Sequence, residues 1–173
     1  MARKTSSPDP RDQVSLAIGA SPERLYGLVA DVTRMGRLSP ECTGGKWLGK
    51  ADGPALGARF KGRNKRGLAR WSTSNTVVAA DPGREFAFDT KQSGFRWRYR
   101  FESVGDGATV VTESREQFAR RPVSARVFTK LVLGGVGSHD DEMRSGMLDT
   151  LTRLKLVAEE PEGHTGRRRR RRG

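Results

Sequence analysis

Polar side chains spaced among apolar ones along extended runs are the first candidates for chemistry in this chain. A hydroxyl, amide or carboxyl aimed into an apolar interior is tolerated only where something bonds it. Thr73 and Asn75 follow Trp71 at two-residue intervals, and Thr112 and Ser114 recur within ATVVTESREQF. Between that run and FRWRYRF lies Asp106-Gly107, a two-residue hairpin signal. In the register such a loop sets, Phe101 faces Thr112 and Tyr99 faces Ser114, all inward. Thr73, Asn75, Thr112 and Ser114, with the Tyr99 hydroxyl, are therefore candidates for orienting a small molecule or a bound water. The alternative is that they bond one another or the backbone.

The titratable residues offer less. In the same register Glu113 lies outside, opposite Arg100, which reads as an exposed cross-strand pair worth ~0.2–1 kcal/mol. Asp31 and Glu41 either line the mouth of a cavity or sit on solvated surface, and the latter reading is favoured. His139 stands at a helix start beside Asp140 and Asp141 with no second ligand nearby in sequence, which favours a surface or capping role. Cys42 has no partner histidine, excludes an intramolecular disulfide by being single, and with two histidines is poor material for zinc. GGVGS at 134–138 and TGGKW at 43–47 lack the spacing of nucleotide-binding loops and read as turns. No catalytic residue, metal site or cofactor is expected.

The elements that must position these groups follow from periodicity. In FRWRYRF, Phe95, Trp97, Tyr99 and Phe101 share one face of a strand and Arg96, Arg98 and Arg100 the other. From Cys42 to Phe118 the chain alternates with period two between frequent turn signals, which predicts six antiparallel strands. Trp47, Phe60, Trp71, Phe86 and Phe88 join the inner face. Val78 and Val111 fall outside in this register, and a bulge would move them.

Before these strands, Val14 to Ala20 is a short alternating run. Ser21-Pro22-Glu23 then supplies an N-cap, a first-turn proline and an acid for a helix carrying Leu25, Leu28, Val29 and Val32. Gly36 and Pro40 end the pattern. After the strands, Pro122 opens a helical VSARVFTKLVL closed by Gly134-Gly135. Ser138 and Asp141 start the last helix, whose apolar stripe is Met143, Met147, Thr150, Leu151, Leu154 and Ala158. Its roughly 20 residues reach about 30 Å, enough to cross a sheet.

A chain of 173 residues supports one domain, read as 14–160 between disordered ends at 1–13 and 161–173. No stretch approaches the roughly 20 apolar residues of a membrane span, and no apolar segment follows the N-terminal basic residues as a secretory signal would require. With the lone cysteine, a reducing cytoplasm fits. The net charge of +13 is unevenly spread: Arg167, Arg168, Arg169, Arg170, Arg171 and Arg172 supply six charges, and residues 14–160, with 24 basic and 17 acidic side chains, carry +7. A run of adjacent guanidiniums binds nucleic acid or anionic lipid without reading sequence, or is an extension with no partner.

The order of strand, helix pair, antiparallel sheet and long closing helix, carried by SPERLYGLVADV, SPECTGGKWLG, RWSTSNTVVAADPGREFAF and GMLDTLTRLKLVAE, resembles the SRPBCC superfamily. These are the START-like domains that include polyketide cyclase/dehydrase and lipid-transport proteins. The resemblance spans residues 14 to about 160. It implies an α+β helix-grip fold, a curved antiparallel β-sheet wrapped around a long C-terminal α-helix, with a cavity between sheet and helix for a small hydrophobic or aromatic molecule. Trp47, Phe60, Trp71, Phe86, Phe88, Trp97, Tyr99 and Phe101, with Met143, Met147 and Leu151 from the helix, would wall it; alternatively they are ordinary core. Cyclase or dehydrase activity is a further implication, with no motif assignable residue by residue to a catalytic role. A second function from another class is a polyanion-associated module acting through the arginine run.

Overall fold

The computed structural model describes residues 12–119 and 137–160, with the backbone alone for 137–142. The helix expected after Pro122, residues 1–11 and residues 161–173 with the arginine run lie outside the described residues, as do the side chains of Ser138, His139 and Asp141. Gln13, assigned from sequence to the disordered N-terminal segment, begins the first strand.

Seven strands form one antiparallel sheet: β1 (Gln13–Ile18), β2 (Cys42–Leu48), β3 (Arg59–Arg66), β4 (Ala69–Asp81), β5 (Glu85–Thr90), β6 (Phe95–Gly105) and β7 (Ala108–Gln117), in the spatial order β1-β7-β6-β5-β4-β3-β2. The six strands expected after Cys42 are thus present as one meander, and β1 returns beside β7. Helix α1 (Pro22–Ala30) and a 3-10 segment (Val32–Arg37) link β1 to β2, and α2 (Gly137–Glu159) closes the fold.

Local chemistry explains the joints. The Ser21 side chain accepts from the Arg24 amide and Pro22 occupies the first turn of α1. The Asp31 carboxylate accepts from the Thr33 amide at 3.1 Å and so starts the 3-10 segment instead of lining a cavity mouth. That segment lies tightly on β2, where glycine is required: a Cβ on Gly36 would meet the Thr43 backbone at 2.7 Å, and one on Gly45 would meet the Val32 carbonyl oxygen at 2.9 Å.

Three bulges set the faces of the sheet. One falls between Cys42 and Gly44 at the start of β2, one between Val77 and Ala79, making Val78 the extra residue of β4, and one between Ser103 and Gly105, making Val104 the extra residue of β6. The β6–β7 turn itself is the expected two-residue loop, Asp106 and Gly107 both having positive φ. Beyond the Val104 bulge, Phe101 pairs with Val111 and Tyr99 with Glu113, in place of Thr112 and Ser114. A one-residue slip inverts every side chain that follows. Val111 is therefore in the core, Thr112 bonds Ser15 on the outer face at 2.8 Å, and Ser114 shares that outer register. The expected pairing of Glu113 with Arg100 does not occur; Arg100 faces Thr112 and Glu85.

The core joins α1 and α2 to the inner face near β1, β5, β6 and β7. Ile18, Leu25, Val29, Phe86, Val111, Leu151 and Leu154 are fully buried. The Tyr26 ring meets Phe86 edge-on at 6.2 Å and Phe101 at 6.1 Å. Burial of Met147, Leu151 and Leu154, at ~1.5–3 kcal/mol each, fastens α2 to the sheet. Its C-terminal end is tied further by Arg24 Nε donating to the Ala158 carbonyl at 3.1 Å and by the Gly19 amide donating to Glu159 at 2.8 Å.

Candidate functional site

The core does not fill the whole space between sheet and helix. Toward the β3–β4 hairpin, where α2 begins, a cavity of about 700 Å³ opens between the inner face, the 3-10 segment and α2. This lies within the range of small-molecule pockets, ~300–1,000 Å³.

Nine of the residues expected at a ligand site line it: Phe60, Trp71, Thr73, Asn75, Phe88, Trp97, Tyr99, Met143 and Met147. The other six lie elsewhere. Trp47 backs Phe60 edge-on at 5.4 Å. Phe86, Phe101 and Leu151 belong to the packed core, and Thr112 and Ser114 lie on the outer register. Phe86 and Phe88 show how fine the division is: both point inward from β5, yet one is fully enclosed and the other walls the cavity.

The polar groups fall into two sets. In the first, the Asn75 amide nitrogen donates to Thr73 Oγ1 at 3.1 Å, and Thr90 Oγ1 donates to Asn75 Oδ1 at 2.8 Å. The Thr73 and Asn75 side chains thus bond each other, and Thr90, not anticipated from sequence, completes the chain. In the second, the Tyr99 hydroxyl donates to Glu113 Oε1 at 2.8 Å. Glu113 is 3% exposed and its Oε2, buried at the cavity lining, has no hydrogen-bond partner. Burial raises this carboxyl to about 8, against a smaller lowering by the Tyr99 hydrogen bond, so at neutral pH it is mostly protonated. The Tyr99 phenol is held well above its ordinary range by burial and by Glu113.

Arg115 enters the lining by the same register shift. Its guanidinium is anchored by Asp12 at 2.7 Å and lies 5.0 Å from the centre of the Phe95 ring. Glu41 and Cys42 reach the cavity from the start of β2, but burial raises the Cys42 thiol, which leaves it a poor nucleophile. Sequence reasoning missed Glu113 and Arg115 because it carried the two-residue loop register unbroken through β7. The signal that could have placed them was the misfit of Val111, an apolar residue sent to the solvent face.

Of the two Glu113 carboxyl oxygens, one is held by a phenol and the other is buried beside the cavity without a partner. Such a carboxyl can donate a proton to an adjoining oxygen or accept one from an acidic carbon. Among the described residues, no cluster of histidine, cysteine and carboxylate side chains could hold a metal ion.

The chain belongs to the family described as polyketide cyclase / dehydrase and lipid transport, which it matches over residues 12–164. A polyketide-cyclase-like protein from Corynebacterium glutamicum is 30% identical, covering 89% of this chain and 95% of its own, with a TM-score of 0.56. Two more distant structures share the fold. The di-domain ARO/CYC StfQ of the steffimycin biosynthetic pathway is 12% identical, with a TM-score of 0.63 over 85% of this chain and 44% of its own. XoxI from Bacillus cereus is 14% identical, with a TM-score of 0.62 over 88% of this chain and 97% of its own. No curated protein matches the chain. The helix-grip architecture is therefore established, and no described helix is long and apolar enough to cross a membrane.

Proposed function

We propose that the chain binds a small, largely apolar molecule carrying a carbonyl or similar acceptor oxygen, in the cavity between the sheet and α2. Aromatic rings and the flexible thioethers of Met143 and Met147 supply adaptable walls, and the protonated Glu113 carboxyl supplies the directional contact. The observation that carries this reading is the unpaired Glu113 Oε2, buried on a residue of the cavity wall: leaving a buried polar atom unpaired costs about 1–3 kcal/mol, which an acceptor reaching it from the cavity would offset.

Cyclase or dehydrase chemistry is compatible with the same group. Glu113 can give its proton to a ligand carbonyl while the neighbouring carbon loses one, and the carboxyl is restored when that second proton returns to it. The product is an enol whose carbon can attack another carbonyl of the same chain. Tyr99 holds Oε1, so the exchangeable proton resides on Oε2.

The test is native mass spectrometry of the gently purified full chain, followed by solvent extraction. Co-purification of a stoichiometric apolar species bearing a carbonyl or hydroxyl is expected. A chain that emerges empty and shows no saturable binding of aryl ketones such as 2-acetylnaphthalene contradicts the reading.

A further inference from the structure

The outer face of the sheet divides into two halves of opposite electrostatic character. On β5, β6 and β7 the cations are neutralised: Arg96 faces Asp89 and Glu116 across the strands, and Arg98 and Arg100 reach Glu85. On β2, β3 and β4 they are not. Lys46, Arg59, Lys61, Arg63, Lys65 and Arg70 are all exposed on one face, and none forms an ion pair with a described residue. The only acid in these three strands is Asp81, at the far end of β4 beside Arg84.

The register worsens the repulsion. Lys46 sits directly opposite Lys61, and Lys65 directly opposite Arg70. Like charges at directly opposed positions destabilise a sheet, whereas the neighbouring half shows the opposite-charge pairs that stabilise one. A folded sheet gains nothing from this arrangement, and an anionic surface laid across it does. Alternate residues of β3 from Arg59 to Lys65 extend the cations over about 20 Å, an extended array rather than a point.

Two leucines bracket the array. Leu68, at the β3–β4 tip between Arg66 and Arg70, is completely exposed at 101%, and Leu48, opposite Arg59, ends the face at 36%. The outer positions between them hold serine, threonine and cations, and a single ring, Trp71 of the inner register, borders the groove lined by Arg63, Lys65 and Arg70, short of the succession of rings on which nucleobases stack. Apolar tips beside an extended cationic field match a bilayer, with phosphates outside and hydrocarbon beneath.

We propose that the outer face of β2, β3 and β4, with Leu68, docks on an anionic lipid bilayer. The same hairpin contributes Lys65, Arg66 and Gly67 to the cavity lining, so docking would bring the cavity to the lipid surface. The charge pattern carries the proposal, which holds whether or not the cavity carries a ligand.

The experiment is co-sedimentation of the full chain with phosphatidylcholine vesicles, with and without phosphatidylglycerol. A chain with Arg167 to Arg172 replaced by serine separates this face from the tail. In that background, binding to phosphatidylglycerol vesicles is expected to persist. K61E/R63E/K65E should weaken it more than about tenfold, since each cation at the surface contributes several-fold. L68S should weaken vesicle binding and leave affinity for duplex DNA unchanged. The triple variant sets glutamates opposite Lys46 and Arg70, so its thermal midpoint should rise, which separates lost docking from lost folding. Loss of all vesicle binding on neutralising the tail overturns the proposal. So does a triple variant that loses DNA affinity and keeps its hold on vesicles.

Discussion

The Tyr99 hydroxyl and the Glu113 carboxyl meet at 2.8 Å beneath an apolar cavity, directly opposite each other on β6 and β7. The contact exists because the Val104 bulge turns Glu113 from the solvent face to the interior. One inserted residue thus converts an expected surface acid into the only buried side-chain polar atom, among the described residues, with no bonding partner.

This pair makes stability depend on pH in a definite direction. The Glu113 carboxyl titrates at about 8 in the folded chain, against 4.5 as its ordinary value. Between those values the folded state holds a proton that the unfolded state has lost. The stability Glu113 contributes is fully present below pH 4.5 and falls as pH rises toward 8, by at most about 1.4 kcal/mol per pH unit. Glu113→Gln should remove this slope and unfold at higher denaturant than the parent at pH 8. Denaturant titrations of both chains at several pH values measure the difference, and parallel profiles would show that Glu113 is ionised or solvated.

Thr90 secures the other polar set. Thr90→Val keeps the shape and removes the donor to the buried Asn75 Oδ1, so it should destabilise by about 1–3 kcal/mol. Chemical denaturation reads this directly. An unchanged midpoint would mean that Asn75 finds another donor.

Met143 lines the cavity but is only half-buried, whereas Met147 is 2% exposed and packed in the core. Met143→Trp should therefore occupy cavity space without unfolding the chain. Competition against an environment-sensitive fluorescent naphthalene probe is expected to show at least about a tenfold loss of affinity, the scale of roughly 1.4 kcal/mol. Undiminished probe binding with an intact fold would place the ligand elsewhere.

The fold was legible because its signals repeat. Alternation in FRWRYRF, the Asp106-Gly107 turn and the stripe from Met147 to Ala158 each draw on local geometry, and each agrees with the same architecture. The site was legible only in part. The inward aromatics of β3, β4, β5 and β6 were readable from alternation, but packed core and cavity wall use the same residue types, as Phe86 and Phe88 demonstrate. The polar centre was lost to a bulge at Val104, an exposed residue whose type announces nothing. A β-bulge leaves its trace downstream, in the misplaced Val111, and the whole of β7 depends on it.

The most direct test of the central claim is calorimetric titration of the full chain with 2-acetylnaphthalene at pH 6 and pH 9, in parallel with Glu113→Gln. The account predicts saturable one-site binding that weakens by about two- to tenfold at the higher pH, as the carboxyl ceases to donate its hydrogen bond. The glutamine variant, whose amide donates at both values, should show no such change. Absence of saturable heat at either pH, or the same pH dependence in both chains, would contradict a ligand cavity organised around Glu113.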